Sequence, residues 1–153
     1  MTGPQGGDLS LLMMMIQKSG LLLKHVLIWV KNQLVLGRSY YHYKHEPIIY
    51  GWKPGAAHYY GGESNETSTW ECNKPHAAKL HPTMKPVELF ARAVKNGSRL
   101  GEIVFDPFMG SGTTAVACEQ LGRSARGVEL SPAYLAVQLE RLSEMGLTPT
   151  LEP

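Results

Sequence analysis

The chain is poor in cysteine, in net charge and in uninterrupted apolar sequence. Two cysteines in 153 residues, Cys72 and Cys118, cannot staple a disulfide framework. Their scarcity excludes a small secreted scaffold and points to a reducing compartment, most simply the cytoplasm. A net charge of +2 excludes a global basic field, so any contact with nucleic acid has to come from a local patch. The one long apolar stretch, residues 11–30, is broken by Gln17, Lys18, Ser19, Gly20, Lys24 and His25. It therefore falls short of the roughly 20 apolar residues of a membrane span. Asp8 and the lack of an early lysine or arginine argue against a signal peptide. A hydrophobic content of 43% with 18% charged residues excludes disorder and predicts one globular domain, residues 1–153.

Two further absences fall on the most informative segment, Val104-Phe105-Asp106-Pro107-Phe108-Met109-Gly110-Ser111-Gly112-Thr113-Thr114. It reads as a strand, an acid at the strand's end, a glycine-rich turn and a helix. Glycine at such a turn lets a flat ligand lie against bare backbone. The helix that follows is expected to aim its free N–H groups and positive dipole end at the ligand. Yet Gly-x-Gly-x-x-Gly lacks its third glycine here, which disfavours a nicotinamide-binding Rossmann domain. No lysine follows Gly112, which disfavours a phosphate loop. An acid at the turn repels pyrophosphate and favours a cationic or hydroxyl-rich ligand. Glu129, about 20 residues further on, suits a ribose diol. S-adenosylmethionine meets these demands, with a sulfonium, an ammonium and a ribose but no phosphate.

Along the chain, Asp8 or Ser10 can cap a helix to about Lys18 that Gly20 closes. Residues 21–31 read as a central strand covered on both faces, because Val26–Val30 is continuously apolar. Residues 40–53 are aromatic and extended, and residues 53–80 read as an irregular surface insert. Pro86 is expected at the first helical position, before a buried stripe of Val87, Phe90, Ala91 and Val94 that ends at Asn96-Gly97. Residues 103–105 form the strand feeding Asp106, residues 112–121 the next helix, and residues 126–130 a strand carrying Glu129. Ser131-Pro132 opens a final helix to about Met145. Helices alternating with apolar strands define an α/β class with a mostly parallel sheet.

The segment Asp106-Pro-Phe-Met-Gly-Ser-Gly-Thr-Thr114 resembles the cofactor motif of the amino-directed DNA methyltransferases. His81-Pro82-Thr83-Met84-Lys85-Pro86-Val87-Glu88-Leu89 is similar to the family's loop and helix before that turn. Gly127-Val128-Glu129-Leu130 is similar to its ribose-binding strand end. Val26–Asn32 with His45–Lys53 is similar to a strand pair upstream of the recognition insert. The resemblance covers about residues 9–145 in the permuted order called the β class. It implies a Rossmann-like, S-adenosylmethionine-dependent fold and methyl transfer to the exocyclic amine of adenine or cytosine in double-stranded DNA. It implies a cofactor-binding part, residues 81–146, in which Asp106, Pro107, Phe108, Gly110, Ser111, Gly112, Thr113, Thr114 and Glu129 line the site. Thr83 and Lys85 border it. The family's catalytic Asp/Asn/Ser-Pro-Pro-Tyr/Phe motif occurs nowhere in the sequence. The chain therefore resembles the C-terminal part of such an enzyme, which alone would be inactive or would need an N-terminal half or second chain. The competing reading is a non-catalytic module that holds cofactor or DNA.

Eight tyrosines and tryptophans fall between Tyr40 and Trp70, interleaved with Arg38, Lys44, Lys53 and histidines. Aromatic faces stack on bases and cations track phosphates. Lys44, Lys53, Tyr43 and Trp52 are the expected DNA-binding residues, and residues 53–80 the target-recognition insert. A hairpin core is the plainer explanation for each ring, because strands favour Tyr and Trp anyway. Cys72, His76 and His81 are spaced too loosely for a zinc site. Cys118 and the seven methionines read as packing.

Overall fold

The structure is a computed structural model that describes residues 7–36, 40–73 and 84–150. The chain divides into two compact units, residues 1–58 with 63–74, and residues 59–62 with 75–153.

The first unit holds helix α1 (Gly7–Lys18) and strands β1 (Leu22–Val35), β2 (Tyr43–Trp52) and β3 (Thr69–Glu71). Gly20, at φ +79°, turns the chain out of α1 as expected. β1 runs four residues beyond the expected strand of residues 21–31. It is the central strand of the order β2-β1-β3, antiparallel to β2 and parallel to β3. Among residues 22–34 of β1 only Trp29 and Lys31 are buried, however, and its start is exposed, so cover on both faces is partial there. β2 is the edge strand of this sheet, which is where Pro47 is tolerated. The stretch after residue 53 is irregular only as far as residue 68. Thr69–Glu71 then joins the sheet, because Trp70 is buried and its indole N–H donates to the Thr67 carbonyl at 3.1 Å. The Trp29 indole N–H reaches the Cys72 carbonyl at 2.8 Å and pins the same segment to β1. His76, His81 and Thr83 lie outside the described residues, and no cluster of metal ligands occurs among those described.

The second unit alternates helix and strand: α2 (Val87–Gly97), β4 (Ile103–Asp106), α3 (Thr113–Leu121), β5 (Ser124–Gly127) and α4 (Pro132–Glu144). β4 and β5 are parallel, with Asp106 opposite Gly127. Two of the three strand pairings among the described residues are thus parallel, in keeping with the α/β reading. Pro86 is the residue before α2 and not its first residue, since its ψ of 134° is extended. The residues of α2 that are fully buried are Leu89, Val94 and Asn96, while Val87, Phe90 and Ala91 are half-buried. The core of this unit lies on α3, where Ala117 and Cys118 are wholly enclosed. No helix among the described residues is long and apolar enough to cross a membrane.

Candidate functional site

The turn between β4 and α3 is set by two glycines in the left-handed region, Gly110 at φ +57° and Gly112 at φ +77°. A side chain at Gly112 would meet the Gln138 Cγ at 2.5 Å, so α4 packs directly on the turn. At Gly110 the nearest heavy atom is 3.9 Å from where a Cβ would stand, which leaves open space over that residue. Asp106 ends β4 as expected. Glu129 does not lie on a strand: β5 stops at Gly127, and Glu129 stands two residues beyond it. The Val128 N–H to Asp106 carbonyl bond closes the β4–β5 ladder, and the Val128 carbonyl accepts from the Met109 N–H of the turn.

Several amides that precede α3 in the turn are taken by the protein's own acceptors. Asp106 Oδ1 accepts from the Phe108 N–H at 2.9 Å, and Oδ2 from the Thr114 hydroxyl at 2.5 Å. Glu129 Oε2 accepts from the Gly110 N–H at 2.7 Å, and Oε1 from the Ser131 N–H at 2.8 Å. The Gly112 N–H donates to the Met109 carbonyl at 3.0 Å. Two carboxylates thus stand where a phosphate-binding loop would hold its anion. Each carboxylate has about four acceptor sites, of which these bonds use two. The remaining lone pairs can meet hydroxyl or ammonium donors.

Thr113 and Thr114 are buried in the first turn of α3, and the Thr113 hydroxyl lies 3.5 Å from the Lys85 carbonyl. Phe108 is 80% exposed and Leu130 96% exposed, so each carboxylate has an uncovered apolar neighbour in the chain. Pro107 is exposed and Ser111 half-buried. A cavity of about 470 Å³ between α2 and β4 reaches Asp106 and Thr114, with Phe90, Val94 and Phe105 among its walls.

Arg141 had no signal in the sequence, since a lone arginine late in an amphipathic helix reads as surface. Its guanidinium crosses from α4 to donate to the Ser111 carbonyl at 2.6 Å and the Thr113 hydroxyl at 3.3 Å. Burial pushes its pKa down from the ordinary arginine value, yet a guanidinium stays charged in proteins. The anticipated DNA-binding residues fall at opposite ends of β2, with Tyr43 and Lys44 at one end and Trp52 and Lys53 at the other. Nine strand steps separate Tyr43 from Trp52, about 30 Å.

A Rossmann-like strand–turn–helix with carboxylates in its anion positions defines a class of nucleoside-binding fold without a phosphate site. The family model described as DNA methylase matches residues 2–140, and the chain belongs to the amino-directed DNA methyltransferase family. It is 40% identical over 85 residues to the type II methyltransferase M.HpaI of Haemophilus parainfluenzae, covering 52% of this chain and 26% of that protein. It is 29% identical over 116 residues to the type II methyltransferase M2.DpnII of Streptococcus pneumoniae, covering 76% of this chain and 41% of that protein. The crystal structure of the M1.HpyAVI–SAM complex superposes with a TM-score of 0.75 at 28% identity, over 88% of this chain and 69% of that one. The chain thus spans well under half the length of these curated relatives.

Proposed function

We propose that this chain is the S-adenosylmethionine-binding part of a DNA methyltransferase that methylates the exocyclic amine of adenine or cytosine, working in the cytoplasm. The observation that supports this best is the placement of the Asp106 and Glu129 carboxylates on the amides of a glycine-rich turn. That arrangement suits a ligand with cationic and hydroxyl groups and opposes a phosphate. The residues present fit the cofactor: open space over Gly110, spare acceptor sites on both acids and the exposed Phe108 ring beside them. Glu129 holds ribose hydroxyls, and Asp106 with Thr113 and Thr114 holds the methionine end. Lys85 borders the pocket. When bound, the cofactor supplies an electrophilic methyl. The protein's part is alignment, since transfer to an amine held in place is largely a matter of proximity. The target base has to leave the duplex first. Lys44 and Lys53, with Tyr43 and Trp52, contact DNA, and residues 53–80 serve as the recognition insert.

A second reading has a specific observation behind it. The sequence contains no Pro-Pro-Tyr loop, and Ile103 and Phe105 of β4 are 64% and 63% exposed. Pairing of β4 with a strand from further polypeptide would cover them and bring that loop to the cofactor. The chain would then bind cofactor and DNA without transferring methyl alone.

The test is calorimetric titration with S-adenosylmethionine beside transfer of labelled methyl to unmethylated DNA, with Asp106→Asn as the control. Asn keeps an acceptor for the Phe108 N–H but removes the charge. Binding lost in the variant supports the reading, and equal binding refutes it. Binding without transfer selects the second reading.

A further inference from the structure

Charge is unevenly distributed along this nearly neutral chain. Between residues 9 and 62 stand six cations, Lys18, Lys24, Lys31, Arg38, Lys44 and Lys53, and one acid, Glu46. The stretch carries a formal +5 where the whole chain carries +2. Glu46 is buried and bonded to Lys31 at 3.3 Å, so it offers little charge to solvent. The next acid placed on this sheet, Glu71, lies on β3, at the opposite edge from β2.

At the Trp52 end of the β1–β2 hairpin the cations meet a row of rings. The pairing passes from Leu23–Gly51 to His25–Tyr50, which makes Lys24 an extra residue in β1. Such a bulge re-aims a side chain, and the Lys24 ammonium lies 5.1 Å from the centre of the Trp52 ring. Gly51 permits the close approach, since a Cβ there would collide with the Leu22 carbonyl. After Trp52 the chain reverses through Lys53-Pro54-Gly55-Ala56, with proline second, glycine third at φ +73°, and the Ala56 N–H bonded to the Lys53 carbonyl at 3.1 Å. These are the residues a type II turn demands. The reversal stacks His58 on Trp52 with ring centres 3.9 Å apart and planes 14° apart. Tyr50 meets Trp52 edge-on at 5.6 Å, and His25 stacks on Tyr50 at 6.1 Å. Lys24, His25, Lys53 and His58 are all exposed.

We infer that this end of the hairpin, built from Lys24, Trp52, Lys53 and His58, is a docking surface for the phosphate backbone of duplex DNA. Its partner rests on the DNA-methyltransferase reading, and its geometry does not. The ring stack fixes the cations' surroundings before binding, and phosphates need only positive charge and N–H donors at a spaced surface. Contacts of this type carry no sequence information, so the surface sets affinity and register, and base selection belongs elsewhere.

The experiment is equilibrium binding of the full chain to a labelled duplex of arbitrary sequence, followed by fluorescence anisotropy from 50 to 300 mM salt. Each phosphate contact contributes about 0.9 to the slope of log affinity against log salt. Lys24→Glu with Lys53→Glu should flatten the slope by about 2 and weaken binding roughly tenfold near 0.1 M salt. The exposed Lys95 on α2 serves as control, and Lys95→Glu should leave the slope unchanged. His58→Ala should lower affinity at every salt concentration with a smaller change in slope. Lys24→Gln with Lys53→Gln repeats the test with a milder change, and circular dichroism checks the fold of each variant. An unchanged slope in both double variants, or no duplex binding by the wild type, overturns the inference. So does binding that these substitutions abolish on phosphatidylserine vesicles but not on DNA. Titration with S-adenosylmethionine in the same variants separates the two readings, since cofactor binding should be untouched.

Discussion

Gly112→Ala tests the construction of the cofactor turn from two sides. At φ +77° an L-residue pays about 1–2 kcal/mol for the left-handed conformation. The new methyl would also stand 2.5 Å from the Gln138 Cγ, 3.1 Å from its Cβ and 3.2 Å from its Cδ. Overpacking of this kind costs about 1–3 kcal/mol. Reduced freedom of the unfolded chain offsets roughly 0.4–1 kcal/mol. The net loss should be about 1–4 kcal/mol, a large share of a stability that is typically about 5–15 kcal/mol. Gln138→Ala removes Cγ and Cδ but leaves Cβ. The double variant should therefore recover most of the overlap and retain the backbone cost. Urea unfolding of wild type, both single variants and the double variant measures the coupling between them. Strictly additive losses would show that Gln138 does not press on the turn. Complete rescue would show that the left-handed backbone costs nothing there, and either result refutes the reasoning.

Arg141→Met keeps the bulk of the side chain but removes its bonds to Ser111 and Thr113. Hydrogen bonds from a charged donor are worth about 1.5–3 kcal/mol, so S-adenosylmethionine affinity by calorimetry should fall about 10- to 100-fold, with unchanged affinity showing that the turn holds its own shape. Lys31→Met removes the ammonium bonded to buried Glu46, and urea unfolding should show a loss of stability that Lys31→Met with Glu46→Leu largely restores. Burial pushes the Cys118 thiol above its ordinary pKa of 9.0, which keeps it protonated at neutral pH. Iodoacetamide at pH 8 should alkylate it only after unfolding, and rapid native labelling counted by mass spectrometry would contradict the enclosed α3.

The strand–turn–helix at Asp106 was legible because its parts are local: acid, two glycines and helix follow one another within nine residues. The same holds for the C-terminal end of α1 and for the ends of α3 and α4, where glycine, serine and proline signals coincide with the observed boundaries, whereas Asp8 and Ser10, expected as caps, lie inside α1, which includes Gly7. What escaped depends on contacts distant in sequence. Thr69–Glu71 is too short to show periodicity and is a strand only because Trp29 and Trp70 fix its place beside β1. The role of Arg141 depends on α4 folding back on a turn 30 residues earlier. The split of the DNA-binding set follows from strand length, since ten residues that look like one cluster in sequence extend over about 30 Å when β2 is drawn out. Sequence shows that the turn has N–H groups to offer, but not that the Asp106 and Glu129 carboxylates take those of Phe108 and Gly110.

That last point bears on how selectivity arises. A bare glycine turn binds anions by default, because amide N–H groups and the helix dipole both attract negative charge. Here each amide given to a carboxylate removes a donor from the site and leaves the other lone pairs of that carboxylate facing outward. The same fold element is thereby converted from an anion site into a site for hydroxyl and ammonium donors without any change in backbone course. Arg141 meets the complementary need, since it binds the Ser111 carbonyl and Thr113 hydroxyl on the α4 side and leaves the acids unneutralised. The turn is thus braced from α3 and α4, while the face of β4 that carries Ile103 and Phe105 stays open. On the proposed function, cofactor binding depends on the braced side and methyl transfer on whatever covers the open one. The two activities should therefore be separable in this chain, with binding retained under conditions where transfer is absent.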